Sequence, residues 1–517
     1  MKIQSKKGIW IIGVVFLVFI LMTLLAAAQD KPKRGGTITI GHDADAVGLD
    51  PHLAIAFASK HFFEYVYTGL LRYNYKMELE PDLATSWEHP DDLTFIFHLR
   101  KGVKFHNGDE MTSEDVKFSF DRMKDPKTAS PWKFIYDAVS SIDAPDRYTV
   151  KFKLAYPYPA FLVYLGDVRY SAIVPKKEVL KRGNLQNVMI GTGPFKLAEY
   201  LPGDQARYVR NNDYYEPGLP YLDGFTLKVI EDESSRLAAI RKGSVQLTWI
   251  KEIQLAELAR KDKDITIAQT LPSRHLHFFI NTSKGPLSHV KVRQAIASAL
   301  DRQEFIDTIL LGQGVLSTCI PPSTVPYVMS DQETKNLPFY KQDYELSKKL
   351  LKEAGYPGGF EFTIRTSTHS PDYVPSAQII QSQLAKIGIK VKIEQQEWGV
   401  LLKAFRASDF EGMIFANVWY PDPDGYVYSW LYSKSSENMG GFKSERIDKL
   451  LDLQRKTMDQ KKRVQIWRDI QLALAEEIPI IWIYAHPQRN EMYRSNVMGY
   501  HAMPNTSRIY VREVWSK

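Results

Sequence analysis

The chain has a single cysteine, Cys319, among 517 residues. One thiol allows no intrachain disulfide, so stability must come from burial. Excess charge of one sign is also lacking. Lys and Arg number 67 against 60 Asp and Glu, and the two signs are interspersed, which leaves no nucleic-acid footprint. Beyond residue 25 no apolar run is long enough to span a bilayer. No His-Glu-x-x-His, no Gly-x-Ser-x-Gly and no nucleotide motif occurs, so zinc-hydrolase, serine-hydrolase and P-loop chemistry have no foothold. No internal repeat or low-complexity tract is visible.

What is present begins with an export signature. Lys2, Lys6 and Lys7 precede an apolar run from Ile9 to Leu25, and Ala26-Ala27-Ala28 follows. Small residues at 26 and 28 fit signal-peptidase cleavage after Ala28. An uncleaved anchor is the other reading, because the run is near the lower limit for a spanning helix. No Cys stands at this site, which excludes lipoprotein attachment. Either way the remainder lies in the periplasm or outside the cell. Loss of the three lysines lowers the net charge from +7 to +4. The remaining chain is too long for one core and implies two or three structural units. Phe, Tyr and Trp make up 12% of the chain. A large core accounts for many of them, and a sugar- or peptide-binding cleft would use others.

The densest local signal runs from Pro81 to Met123. Phe95, Phe97 and Leu99 alternate with Ile96, His98 and Arg100, the period of a half-buried strand. Asn107-Gly108-Asp109 supplies turn chemistry. Thr112 is placed as a helix N-cap with Asp115 in the capping-box position, and Val116, Phe120 and Met123 form one helical stripe. The stretch Thr94 to Asp109, with Ser113-Glu-Asp-Val116, closely resembles the signature of the family 5 extracellular solute-binding proteins, the peptide- and nickel-type receptors of ABC importers. Leu49-Asp50-Pro51, Gly191-Thr-Gly-Pro-Phe195 and Val292-Arg-Gln-Ala295 with Asp301-Arg302 extend the resemblance over nearly the whole mature chain.

The resemblance implies an α/β, two-lobed periplasmic-binding-protein fold, type II in its large three-subdomain form, with a hinged cleft. Residues 1–28 are the signal peptide. Residues 29–75, 186–275 and 487–517 make lobe I, 76–185 an extra subdomain of it, and 276–486 lobe II. A small-molecule or peptide ligand, ABC permease subunits as membrane partners, a monomeric state and no cofactor are implied as well. Ligand bound between two lobes stabilises the closed form, because only there does it touch both.

Candidate ligand residues centre on Asn417 to Gly425, where two prolines, a glycine and two aspartates exclude regular structure. The segment resembles the family's cleft loop, in which an Asp pairs with the α-ammonium of a peptide. Matching Asp422-Pro423 to the family's Asp-Pro puts Trp419 at that Asp. A buried ammonium without a carboxylate is costly, and a Trp face replaces it only in part. A sugar ring, an apolar group or another organic solute therefore competes with a peptide. Trp419, Tyr420, Asp422, Trp398, His275, Arg274, Asp50 and His486 are the candidate ligand-binding residues. Trp398 reads equally as packing, whereas for Trp419 a core position under the loop is the lesser reading. Arg274 suits a carboxylate or the surface. His275 and His277 share a strand face without a third ligand in the sequence, so packing or pocket lining is favoured over a metal. Asp422 and Asp424 read as turn-stiffening residues. No catalytic residue is assigned. A secreted hydrolase using Asp422 and Asp424, and a membrane-tethered sensor, are the competing functions.

Overall fold

A computed structural model describes residues 31–517, except 55, 269, 418–419 and 487–489. Three sheets organise the chain. The first has seven strands, in the order Ile265–Ile267, Asn490–Arg494, Leu247–Ile250, Thr37–His42, Gly224–Val229, Gln205–Arg210 and Phe195–Leu201. Thr37–His42 lies at its centre and runs parallel to both neighbours. The second has six strands, in the order Val315–Leu316, Ile480–His486, Arg274–Ile280, Gly412–Asn417, Glu361–Ser367 and Lys390–Gln396. All of its strands fall between residues 274 and 486. The third has four strands, Ala84–Asp91, Thr94–Leu99, Thr149–Leu154 and Val139–Asp146, and is antiparallel throughout.

The signature stretch folds as its pattern dictates. Phe95, Phe97 and Leu99 are buried in the strand Thr94–Leu99. Thr112 and Asp115 form the capping box of the helix Ser113–Lys124, which buries Val116, Phe120 and Met123. These residues share one apolar core with Phe152 and Phe161. Gly191 and Gly193 mark a close backbone approach. A Cβ at Gly191 would come within 2.1 Å of the Val66 carbonyl oxygen, and one at Gly193 within 2.5 Å of the Tyr65 carbonyl oxygen. This is a packing role, with no phosphate in it.

The chain passes from the first sheet to the second between Ile267 and Arg274, and returns between His486 and Asn490. The two passages are adjacent, because Arg274–Ile280 and Ile480–His486 pair directly and Arg274 stands opposite His486. Arg274–Ile280 is buried along its whole length. Helices Val290–Ala299, Tyr373–Ala385 and Gln460–Glu477 contribute to the apolar core of this second unit. Among the described residues no helix is long and apolar enough to cross a membrane.

Candidate functional site

A cavity of ≈ 400 Å³ opens where the two units meet. Lys251, Ile253 and Gln254 line it from the first unit, directly after the strand Leu247–Ile250. Arg274, His369, Asp372, Trp398 and His486 line it from the second.

Arg274 is the first residue of its strand, which places its side chain at the end of the sheet. Its guanidinium grips Asp372 through both nitrogens, at 2.6 and 3.0 Å. It also donates to His486 Nε2 at 2.7 Å and to Ser370 Oγ at 3.1 Å. Asp372 accepts further bonds from Ser370 Oγ and the Tyr484 hydroxyl. Burial alone would raise the Asp372 carboxyl, but Arg274 holds it well below the usual carboxylate range. Trp398 opens the helix Trp398–Arg406, with Glu397 capping it through the Val400 N–H. Its indole lies flat on the His369 ring, with centroids 4.4 Å apart and planes 10° from parallel. Across the cavity, Lys251 Nζ contacts Asp43 at 3.1 Å. Burial first, then Lys251 and Arg274, press His369 toward its neutral form, against Glu397.

The other candidates sit elsewhere. Asp50 is fully buried and held by both Arg122 nitrogens, at 3.0 and 2.7 Å, and by the His52 and Leu185 N–H groups. It ties the first-strand loop to the helix Ser113–Lys124 and has no lone pair left for a ligand. Asp422 is equally buried. Arg463 takes both its oxygens, at 2.6 and 2.8 Å, and Asp422 Oδ1 also stiffens the turn through the Asp424 N–H. Asp424 is bound by Arg455 and Gln454. With both carboxylates engaged by arginines, the acid–base pair of the hydrolase reading is missing. The exclusion of regular structure over 417–425 needs correction, since Asp424 and Gly425 begin the helix Asp424–Leu431.

His275 follows Arg274 on the strand and so faces the other way. It is fully buried beside His277 and Tyr426, and burial pushes its imidazole down to about 4. It is a packing residue. Tyr420 packs on Tyr426 at 5.3 Å, in a loop near Tyr164, which belongs to the apolar core of the third sheet. Trp419 lies outside the described residues. Arg274, Trp398 and His486 are thus the candidates brought together in the cavity. Lys251, His369 and Asp372 were missed. Lys251 carries no local signal at all, whereas Ser370-Pro371-Asp372 has the look of a turn with an Asx residue.

The family model described as bacterial extracellular solute-binding proteins, family 5 Middle, matches residues 78–438. The chain belongs to that family. It is a family of binding proteins rather than of enzymes. The chain is 30% identical to di/tripeptide-binding protein 2 of Pseudomonas aeruginosa, over 96% of this chain and 97% of that one. The ABC transporter-associated periplasmic binding protein DppA of Helicobacter pylori, solved with the peptide STSA, superposes with a TM-score of 0.77 at 30% identity, covering 94% of this chain and 99% of that one. AgaA of A. tumefaciens R10, solved with agropinic acid, gives 0.76 at 29% identity, with 93% and 99% covered.

Proposed function

We propose that this solute-binding protein captures a peptide-like or other small organic solute between its two units and delivers it to an ABC permease in the membrane. One observation carries the reading: the cavity draws its walls from both sheets, with Lys251 on one side and Arg274, His369 and Trp398 on the other. A ligand there contacts both units only when they are together, so binding favours closure by its differential contacts. The relatives support a ligand of this kind, the peptide STSA in one and agropinic acid in another. The protein works as a monomer without catalysis, after residues 1–28 have been removed on export to the periplasm or beyond. Lobe I is built from 29–75, 186–275 and 487–517 with the subdomain 76–185, and lobe II from 276–486.

The test is mass spectrometry of whatever co-purifies with the mature chain, followed by small-angle scattering with and without it. The expected result is an unmodified solute whose addition compacts the molecule and raises its melting temperature. A single rigid shape, with no melting shift from any peptide, sugar or organic acid, would refute the receptor reading.

A further inference from the structure

We infer that the subdomain built on the third sheet and the second unit latch directly onto each other, that Met458 is the knob of this latch, and that the latch keeps a share of the solute-free protein closed. The inference goes beyond the receptor reading, since it concerns contacts within the chain and no solute atom enters it.

Met458 stands between the helices Glu445–Lys456 and Gln460–Glu477 of the second unit. Its half-buried side chain nevertheless packs against the apolar core of the third sheet, as Tyr158 does. A methionine suits such a place, because its unbranched, polarisable side chain fills irregular gaps. Two more contacts join the same pair of bodies. Gly425, in the first turn of the helix Asp424–Leu431, comes so near the Tyr164 hydroxyl that a Cβ there would lie 2.6 Å from it. Tyr164 belongs to the third-sheet core. Tyr158 stands within electrostatic reach of three second-unit charges. Burial first, then Asp424 and Asp422, push its hydroxyl well above the usual range, against Arg455. Arg169, from the subdomain, likewise acts on the Tyr420 hydroxyl.

The latch is separate from the solute cavity. None of Tyr158, Tyr164, Gly425, Arg455 and Met458 lines that cavity, which opens beside the chain passages at Arg274 and His486. Latch contacts and solute contacts therefore favour closure independently, and any solute gains the same factor from the latch whatever its chemistry. Half the burial of a methionine side chain is worth roughly three- to tenfold in the closed-to-open ratio. A bias of that size shifts the balance without locking either form.

The lone thiol, Cys319, is buried, so nitroxide labels go to the two cysteines of a Lys127→Cys, Lys461→Cys variant. Those lysines are exposed, one on the subdomain and one on the second unit. Double electron–electron resonance then reads the distance between the labels in the solute-free protein. A populated short distance, belonging to the closed form, is expected. Met458→Asp should lower its share relative to the long distance about tenfold. Met458→Leu keeps the apolar contact and should change it by less than about twofold. The melting temperature should stay within about 2 °C in both, because neither change reaches the interior of a unit. Gly425→Val acts from the other contact and should move the share the same way, which keeps the test decisive if aspartate at 458 disturbs its own loop. A single long distance in the labelled parent, or a distribution that neither Met458→Asp nor Gly425→Val alters, would overturn the latch and leave the receptor reading standing.

Discussion

Replacing Asp422 with asparagine separates a structural carboxylate from a ligand-facing one. Asp422 is fully buried and its partner Arg463 is 2% exposed. Both oxygens accept from the guanidinium, which also donates to the Tyr327 hydroxyl and to Gln454. The substituted amide would keep the shape of the site and leave Arg463 as a buried cation without a counter-charge. Breaking one side of such a pair costs roughly 3–5 kcal/mol. For a unit of this size that lowers the melting temperature by on the order of 10 °C. Urea unfolding followed by tryptophan fluorescence reads the cost, and titration of the folded protein reads ligand affinity. Asp422→Asn should lose stability and keep affinity within about threefold. Arg463→Met should lose a similar amount, since it strands the carboxylate instead. The double variant should recover part of both losses, because the two residues act as one group. A variant D422N that is destabilised by under about 1 kcal/mol yet no longer binds solute would refute the reasoning and return Asp422 to the ligand site.

Further outcomes follow from the same geometry. Gly425→Val places a side chain where a Cβ already comes within 2.6 Å of the Tyr164 hydroxyl in the core of the third sheet. A penalty of about 1.4 kcal/mol on the closed form weakens solute binding about tenfold. Scattering should then show a larger mean radius, and an unchanged radius with unchanged affinity would disprove it. His52, His106 and His275 are each lowered by burial to about 4 from an ordinary value of 6.5. The unfolded chain binds protons there first, so stability is full above about pH 6.5 and falls as pH drops toward 4. Each histidine contributes about 1.4 kcal/mol per pH unit inside that window, and urea midpoints that stay flat from pH 7 to 5 would contradict this. Trp398→Ala should weaken solute binding at least about fivefold with little change in unfolding midpoint, since the indole is only half buried. Edman sequencing of the exported protein should begin at Gln29, and an intact Met1 would speak for an anchor.

Local periodicity made much of the fold readable. The strand Thr94–Leu99, the capping box at Thr112 and the helix Tyr373–Ala385 followed by Lys390–Gln396 all announce themselves within a dozen residues. The helices Glu445–Lys456 and Gln460–Glu477 went unread. They too carry signals, an N-capping Ser444 and Asp459 and buried Ile447, Leu451 and Gln454 at helical spacing. Ile478 closes the second of these helices in the left-handed region, at φ 49°, and the strand begins at Ile480. The site was harder to read, for a physical reason. Asp422 and Arg463 are 41 positions apart, Arg274 and Asp372 are 98 apart, and Lys251 reaches the cavity from another sheet. Charge partners at such separations leave no periodic trace, so an aspartate bound for an arginine looks the same in sequence as one bound for a ligand.

The adjacency of the two inter-sheet passages has a mechanical consequence. When two rigid bodies rotate about a common axis, a point's displacement scales with its distance from that axis. Arg274 and His486 stand at the ends of the strands that make the passages, so in a rotation of the units about those passages the Arg274–Asp372–His486 cluster would travel little. Tyr164 and Gly425 belong to no such passage and would sweep through a longer arc in that rotation. Under the proposed function, a solute would then be gripped at the pivot before the outer edges meet, with first recognition resting on groups that hardly move and commitment on groups that move most.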